Sequence, residues 1–162
     1  MKKIKLSRGL FATVDDDQYE KLNAFKWSAL KGRYTYYAVR TQHNLKKTIL
    51  MHRQIMEAAK GTLIDHKNGN GLDNTKENLR FASYAENQHN RRNEPYGKSK
   101  YRGIVGREKI KAWQAKIGAK GKYYHLGYFK EEKEAALAFD KGALKYHGEF
   151  AVLNFTKEKK DV

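Results

Sequence analysis

From Lys100 to Phe155 the apolar pattern keeps a period of two through three short runs and then changes once, to a helical period. That switch is the strongest constraint in the chain, because side chains alternate across a strand but recur every three to four residues on a helix. Tyr101 to Arg107, Trp113 to Ala119 and Tyr123 to Phe129 read as strands, with a polar turn after the first and Lys120-Gly121 after the second. Alternation sets Trp113, Ala115 and Ile117 on one face and Gln114 and Lys116 on the other. In the third run Tyr124 and Leu126 point inward, leaving Tyr123 and His125 outward. The helix Glu131 to His147 opens on acids and closes at Gly148, as helix start and stop signals require. Its stripe Ala135, Ala138, Phe139, Gly142 and Tyr146 is built mainly from small residues, so the helix can lie close on the sheet. A three-stranded antiparallel sheet packed on one α-helix is the expected result.

Charge limits the partner. The 162 residues carry 34 Lys+Arg against 18 Asp+Glu, a formal net charge of +16. Such an excess repels itself in a compact fold and points to a polyanion, nucleic acid first of all, which the resemblances below narrow to double-stranded DNA. No basic amphipathic helix with a broad apolar face suggests a membrane surface, and no run approaches the ~20 apolar residues of a span. Cysteine is absent, which excludes disulfides and Cys-type zinc sites. With no early apolar run of the signal-peptide kind, a cytoplasmic protein is expected. A monomer is expected, with a dimer left open.

The first sixty residues suggest strands at Gly9 to Val14, Tyr34 to Arg40 and Thr48 to Met51, rich in aromatic and β-branched residues. Between the first two, DDDQYEKLNAF suits a short helix whose acidic start complements the dipole. Trp27, Tyr34, Tyr36 and Tyr37 serve either a core or a nucleic-acid surface. His52 opens the helical stretch HRQIMEAA, with Ile55, Met56 and Ala59 at helical spacing, and is read as structural.

Leu63 to Arg92 holds the residues that most suggest chemistry, LIDHKNGNGLDNTKENLRFASYAENQHNRR. Leu63 and Ile64 end a strand that presents Asp65 and His66. Lys67 to Asn74 has the composition of an irregular loop, Asn74 or Asp73 caps a helical turn through Leu79, and Ser83 with Glu86 has capping-box spacing for a second helix bearing Asn87. Hydrolysis of a phosphodiester needs a base, and a neutral imidazole at working pH supplies one in His66. The Asn78 carbonyl can accept the Nδ1 proton of that ring. Asp65 and Asn87 offer hard oxygens for one Mg²⁺, or Mn²⁺ in its place. Arg91 and Arg92 suit phosphate, and His89 is either a ligand or surface.

With Asp65, His66, Asn78 and Asn87 at this spacing, and the DHKNGNGLDNTKENLR run around them, the segment resembles the HNH, or ββα-metal, nuclease motif of phage and intron-encoded homing endonucleases. The resemblance implies a metal-dependent DNA endonuclease of a bacterial or phage-infected cell. The later segment resembles the plant-type apetala-two/ethylene-response-factor DNA-binding domain. YRGI at Tyr101 to Ile104, WQAKI at Trp113 to Ile117, HLGYF at His125 to Phe129, EEKEAALAFD at Glu131 to Asp140 and HGEFAVLNF at His147 to Phe155 carry it. In that family the outward sheet face enters the major groove, which carries Arg102, Arg107, Lys116, Tyr123 and His125 over as DNA-binding positions. The plant domains place arginine and tryptophan where Val105, Lys109 or Ile110, and His125 stand here, so their target preference does not transfer.

The expected organisation is therefore α+β. A mixed strand/helix domain with the ββα-metal motif spans 1–92 (motif 63–92), a linker 93–99, the sheet-and-helix DNA-binding domain 100–157 and a polar tail 158–162. The rival from another class is a non-catalytic, sequence-specific DNA-binding regulator whose nuclease half is vestigial.

Overall fold

A computed structural model describes residues 1–42, 46–89 and 98–155, with the side chains of 88 and 89 excepted. The chain is mixed α+β, with several small antiparallel sheets and few helices. It divides into two compact units, Met1–Asn87 and Gln88–Val162.

The first unit begins with the hairpin β1 (Lys2–Lys5) and β2 (Phe11–Val14), in which Ile4 pairs with Ala12. β1 is nearly all lysine, so local composition gives little sign of it, yet Ile4 is buried in the core. Helix α1 (Asp16–Asn23) follows with Asp16 and Asp17 in its first turn, where a carboxylate complements the unpaired amides. A three-stranded sheet comes next, β3 (Ser28–Lys31), β4 (Tyr36–Gln42) and β5 (Lys47–Leu50), in the order β3-β4-β5. The short helix α2 (Met51–Ile55) buries Met51 and Ile55. Ile4, Val14, Leu22, Trp27, Ala38, Met51 and Leu79 share one core. Trp27 is buried there, its indole N–H donating to Leu22 O at 2.7 Å, whereas Tyr34 is exposed.

The segment after it differs from expectation. The expected helical turn is present, with Leu79 N–H donating to Thr75 O at 3.1 Å and Asp73 Oδ1 accepting from Thr75 Oγ1 at 2.9 Å, but at Leu79 the chain passes into an unexpected strand, β7 (Leu79–Ala82), which pairs with β6 (Leu63–His66). Directly paired across it are Asp65 and Arg80. Pairing and burial across the hairpin set the strand that follows the turn. Helix α3 (Tyr84–His89) begins with the expected box: Ser83 N–H donates to Glu86 Oε2 at 2.7 Å, and Glu86 N–H to Ser83 Oγ at 3.3 Å.

The second unit is an antiparallel sheet of β8 (Ile104–Arg107), β9 (Ala112–Ala119) and β10 (Lys122–Phe129), ordered β10-β9-β8, with helix α4 (Glu132–His147) on one face. Ile104, Ala115, Ile117, Ala135, Ala136, Phe139 and Ala143 form its buried core. The approach is close: a Cβ on Gly103, whose φ is +75°, would lie 2.1 Å from the Phe139 ring. Only glycine meets both demands there.

A bulge in β10 decides which side chains face out. His125 pairs with Lys116, but Gly127, not Leu126, pairs with Ala115, so one residue is skipped. Strict alternation after Leu126 would send Tyr128 inward and Phe129 outward. The extra residue reverses that: Tyr128 is exposed and Phe129 joins the core.

Candidate nucleic-acid interface

The outward face of the second sheet gathers Val105 and Arg107 from β8, Gln114 and Lys116 from β9, and Tyr123, His125 and Tyr128 from β10, as their cross-strand pairing requires. Arg107, Tyr123, His125 and Tyr128 are exposed, Tyr123 at 81%. Lys116 Nζ lies 5.5 Å from the Tyr123 ring centre. Arg107 Nε donates to Gln114 Oε1 at 2.7 Å, and Gln114 Nε2 stands 3.0 Å from His125 Nδ1. A continuous polar row therefore crosses all three strands.

Charge is sorted by side. Residues 88–162 hold 18 Lys+Arg against 9 Asp+Glu, and residues 1–87 hold 16 against 9, which together make the +16 of the chain. Of the acids among the described residues of the second unit, only Glu108 adjoins the sheet strands, and Lys98 pairs with it. The others, Glu131 to Glu149, belong to the helix side. The open face is left to Arg107 and Lys116, a distribution that draws a polyanion to that side.

Arg102 lies ahead of β8 and is half-buried, with burial pushing its guanidinium below the ordinary value. Its backbone is clamped: Arg102 N–H donates to Asn154 Oδ1 at 2.7 Å, and Asn154 Nδ2 donates back to Arg102 O at 3.2 Å. Asp140 on α4 in turn accepts the backbone N–H groups of Asn154 and Phe155 at 2.7 and 2.9 Å. Burial raises the Asp140 carboxyl while those two N–H groups favour its charged form. The helix thus sets the entry to β8. Neither Asp140 nor Asn154 was expected to have a role, and no local signal marks the pairing. For Tyr128 a signal exists, since an isolated glycine inside a strand marks a bulge.

Asp65, His66, Asn78 and Asn87 all belong to the first unit. Arg80 Nε and Nη2 reach Asp65 Oδ2 at 2.8 and 2.7 Å, with both side chains under a tenth exposed. A divalent ion at Asp65 would have to compete with that guanidinium. Among the described residues no group of three or more His, Cys, Asp or Glu side chains is placed to hold a metal ion. Asn78 Oδ1 accepts from Asn68 N–H at 3.0 Å, and its Nδ2 donates to Asp73 O at 2.7 Å, so the side chain closes the Lys67 to Asn74 loop. Within that loop Asn68 Oδ1 accepts from Asn70 N–H and Asn70 Oδ1 from Leu72 N–H, the local bonding asparagine favours in turns.

His66 is buried, its ring 5.0 Å from that of His52 and 5.9 Å from that of Tyr37. Burial pushes both imidazoles below their ordinary value, His52 to about 3, with the nearby His66 and Arg53 adding to the shift in His52. Asn87 is half-buried on α3. Arg91 and Arg92 lie outside the described residues, as does the side chain of His89.

No family model matches the chain. Over 68 residues, 41% of this chain, it is 44% identical to AP2-like ethylene-responsive transcription factor PLT2 of Arabidopsis thaliana, of which that stretch is 12%. Over 61 residues, 36% of the chain, it is 43% identical to Ethylene-responsive transcription factor WRI1 of the same plant, covering 14% of it. AP2-like ethylene-responsive transcription factor CRL5 of Oryza sativa subsp. japonica is 41% identical over 68 residues, 41% of the chain and 11% of the relative. The chain thus spans less than a fifth of the length of these relatives.

These matches correct the expectation of an enzyme, since the proteins that this chain is similar to are transcription factors. The base, orienting and metal-holding roles expected of His66, Asn78, Asp65 and Asn87 belong to the endonuclease reading, and the matches, which span 36% to 41% of the chain, do not bear on these four residues themselves. The bacterial or phage setting likewise gains no support from relatives in Arabidopsis and rice. No described helix is long and apolar enough to cross a membrane.

Proposed function

We propose that the protein is a non-catalytic, sequence-specific regulator that binds double-stranded DNA through the outward face of the β8-β9-β10 sheet, laid in the major groove. The observation that carries this is the division of that sheet. One face is closed by α4, and the other presents Arg107, Lys116, Tyr123 and His125 together with no acid among them. The major groove is about 12 Å wide and admits a β-ribbon, and arginine pairs there with guanine edges while lysine takes phosphates. Similarity to transcription factors supports the same reading. Arg91 and Arg92 remain candidates for phosphate contacts. In the first unit, Asp65 and Asn78 act as structural groups that hold the β6-β7 hairpin and its loop.

The test is the affinity of the full chain for duplex DNA across a salt series. Binding should weaken steeply with salt, and Lys116→Ala should lower the log–log slope by about one while weakening all sequences alike. Absence of duplex binding, or binding indifferent to salt, would overturn the proposal. Supercoiled plasmid incubated with the protein and Mg²⁺ should stay supercoiled; nicked or linear product that a chelator suppresses would refute the non-catalytic part.

A further inference from the structure

The polar row on the outer sheet face fixes a proton, and the argument rests on the donor count of each group. Arg107 Nε donates to Gln114 Oε1 at 2.7 Å, and its Nη2 contacts the same oxygen. A guanidinium carries only donors, so the oxygen of the amide must face Arg107 and the nitrogen must face His125. That nitrogen lies 3.0 Å from His125 Nδ1. An amide NH₂ can only donate, so Nδ1 accepts. A neutral imidazole has one ring proton, and here it sits on Nε2. The Tyr128 ring braces the imidazole at 4.6 Å between centres, inclined by 52°, and is brought to this face by the β10 bulge.

Resting on the DNA-binding reading above, we propose that Gln114 is a positioning residue that commits His125 to presenting Nε2–H and Arg107 to presenting its outer N–H groups, so that this row reads guanine N7 and O6. The chemistry follows from what remains unspent. With Nε and one Nη2 donor of Arg107 turned to Gln114, the Nη1 edge stays available, beside the single Nε2–H of His125. All of these are donors. In the major groove guanine offers two adjacent acceptors, N7 and O6; adenine sets a donor beside its acceptor, cytosine offers a donor, and thymine a lone acceptor beside a methyl group. A row of donors is matched best by guanine. Gln114 touches no base in this account, and its effect passes through its neighbours.

The experiment starts from duplexes selected by the full chain out of a random pool, with each enriched guanine then replaced by 7-deazaguanine, which lacks the N7 acceptor. The wild type should lose about tenfold in affinity at one or two guanines, the scale of a specific base contact. In Gln114→Ala that penalty should shrink to about twofold or less, while affinity for unrelated duplex is kept. Gln114→Glu preserves side-chain size but accepts from both neighbours. It draws the ring proton to Nδ1, turns Nε2 into an acceptor in mildly alkaline buffer, and should shift preference at that position toward adenine or cytosine, whose amino groups donate. An equal 7-deazaguanine penalty in wild type and both variants, or none in the wild type, overturns the inference and leaves DNA binding standing. Failure of the wild type to bind any duplex overturns both. Should Gln114→Ala melt early, the preference switch in Gln114→Glu decides the matter.

Discussion

Both units place histidine beside polar partners, and they do so with opposite results. In the first, His66 and His52 are turned inward against Tyr37, and the charged pair beside them, Asp65 and Arg80, is buried too. In the second, His125 stands exposed between Gln114 and Tyr128, with Arg107 and Lys116 on the same face. Asp65 and Arg80 bond one another in the interior, so that much of their bonding capacity goes into the fold. Exposed groups on a rigid sheet keep capacity for a ligand. Residue type alone therefore does not separate a site from a scaffold; burial and the direction of the donors do.

Removing Asp65 tests the buried side of this contrast most severely. Asp65→Ala leaves the buried Arg80 guanidinium without this carboxylate and should cost the first unit about 3–5 kcal/mol, measured by chemical denaturation. Duplex affinity, seated on the other unit, should stay within about twofold. A large loss of affinity in a still-folded protein would erase the distinction between the units.

Acid sharpens the comparison next. His52 is held neutral, its value lowered from 6.5 to about 3 by burial, while an unfolded chain takes up the proton below 6.5. The contribution is therefore complete above 6.5 and is lost as pH falls toward 3, by a few kcal/mol in all. His66, lowered in the same direction, adds to it. Denaturation of wild type and His52→Leu between those limits should show a shallower acid slope in the variant. Equal slopes would mean that the imidazole is not held neutral.

The smallest effect concerns the turn that joins β9 to β10. Lys120 and Gly121 both adopt positive φ, 50° and 72°, as a tight two-residue hairpin turn of this hand requires. Lysine is poorly suited to that region and asparagine well suited. Lys120→Asn should raise the melting temperature of the second unit by the equivalent of roughly 0.5–1 kcal/mol, and should leave the sheet face unchanged. A lower melting temperature would show that the lysine side chain contributes more than the backbone strain costs.

Legibility in the sequence was uneven for reasons that particular residues make plain. The three strands and helix of the second unit are short-range patterns: Ala115 and Ile117 inward, Lys116 outward, and Gly148 at the helix end each follow from neighbours a few positions away. The capping pair Ser83 and Glu86 is local in the same sense. β1 and β7 leave little local trace for different reasons: β1 is nearly all lysine and is a strand only through its pairing with β2, and in β7 Arg80 finds Asp65 fifteen residues earlier. Asp65, His66 and Asn78 look reactive by residue type, but the bonds that engage Asp65 and Asn78 and the rings that enclose His66 are set by the tertiary fold.

By itself the sequence determined a strongly basic chain, a sheet-and-helix unit at its C-terminal side and the outward placement of Lys116, Tyr123 and His125, because charge and alternation are summed residue by residue. Tertiary structure alone decided that Asp65 meets Arg80, that His66 is enclosed, and that Tyr128 joins His125 on the open face. Each of these depends on a distance or register between strands, and a register moved by a single residue exchanges the two faces of a sheet.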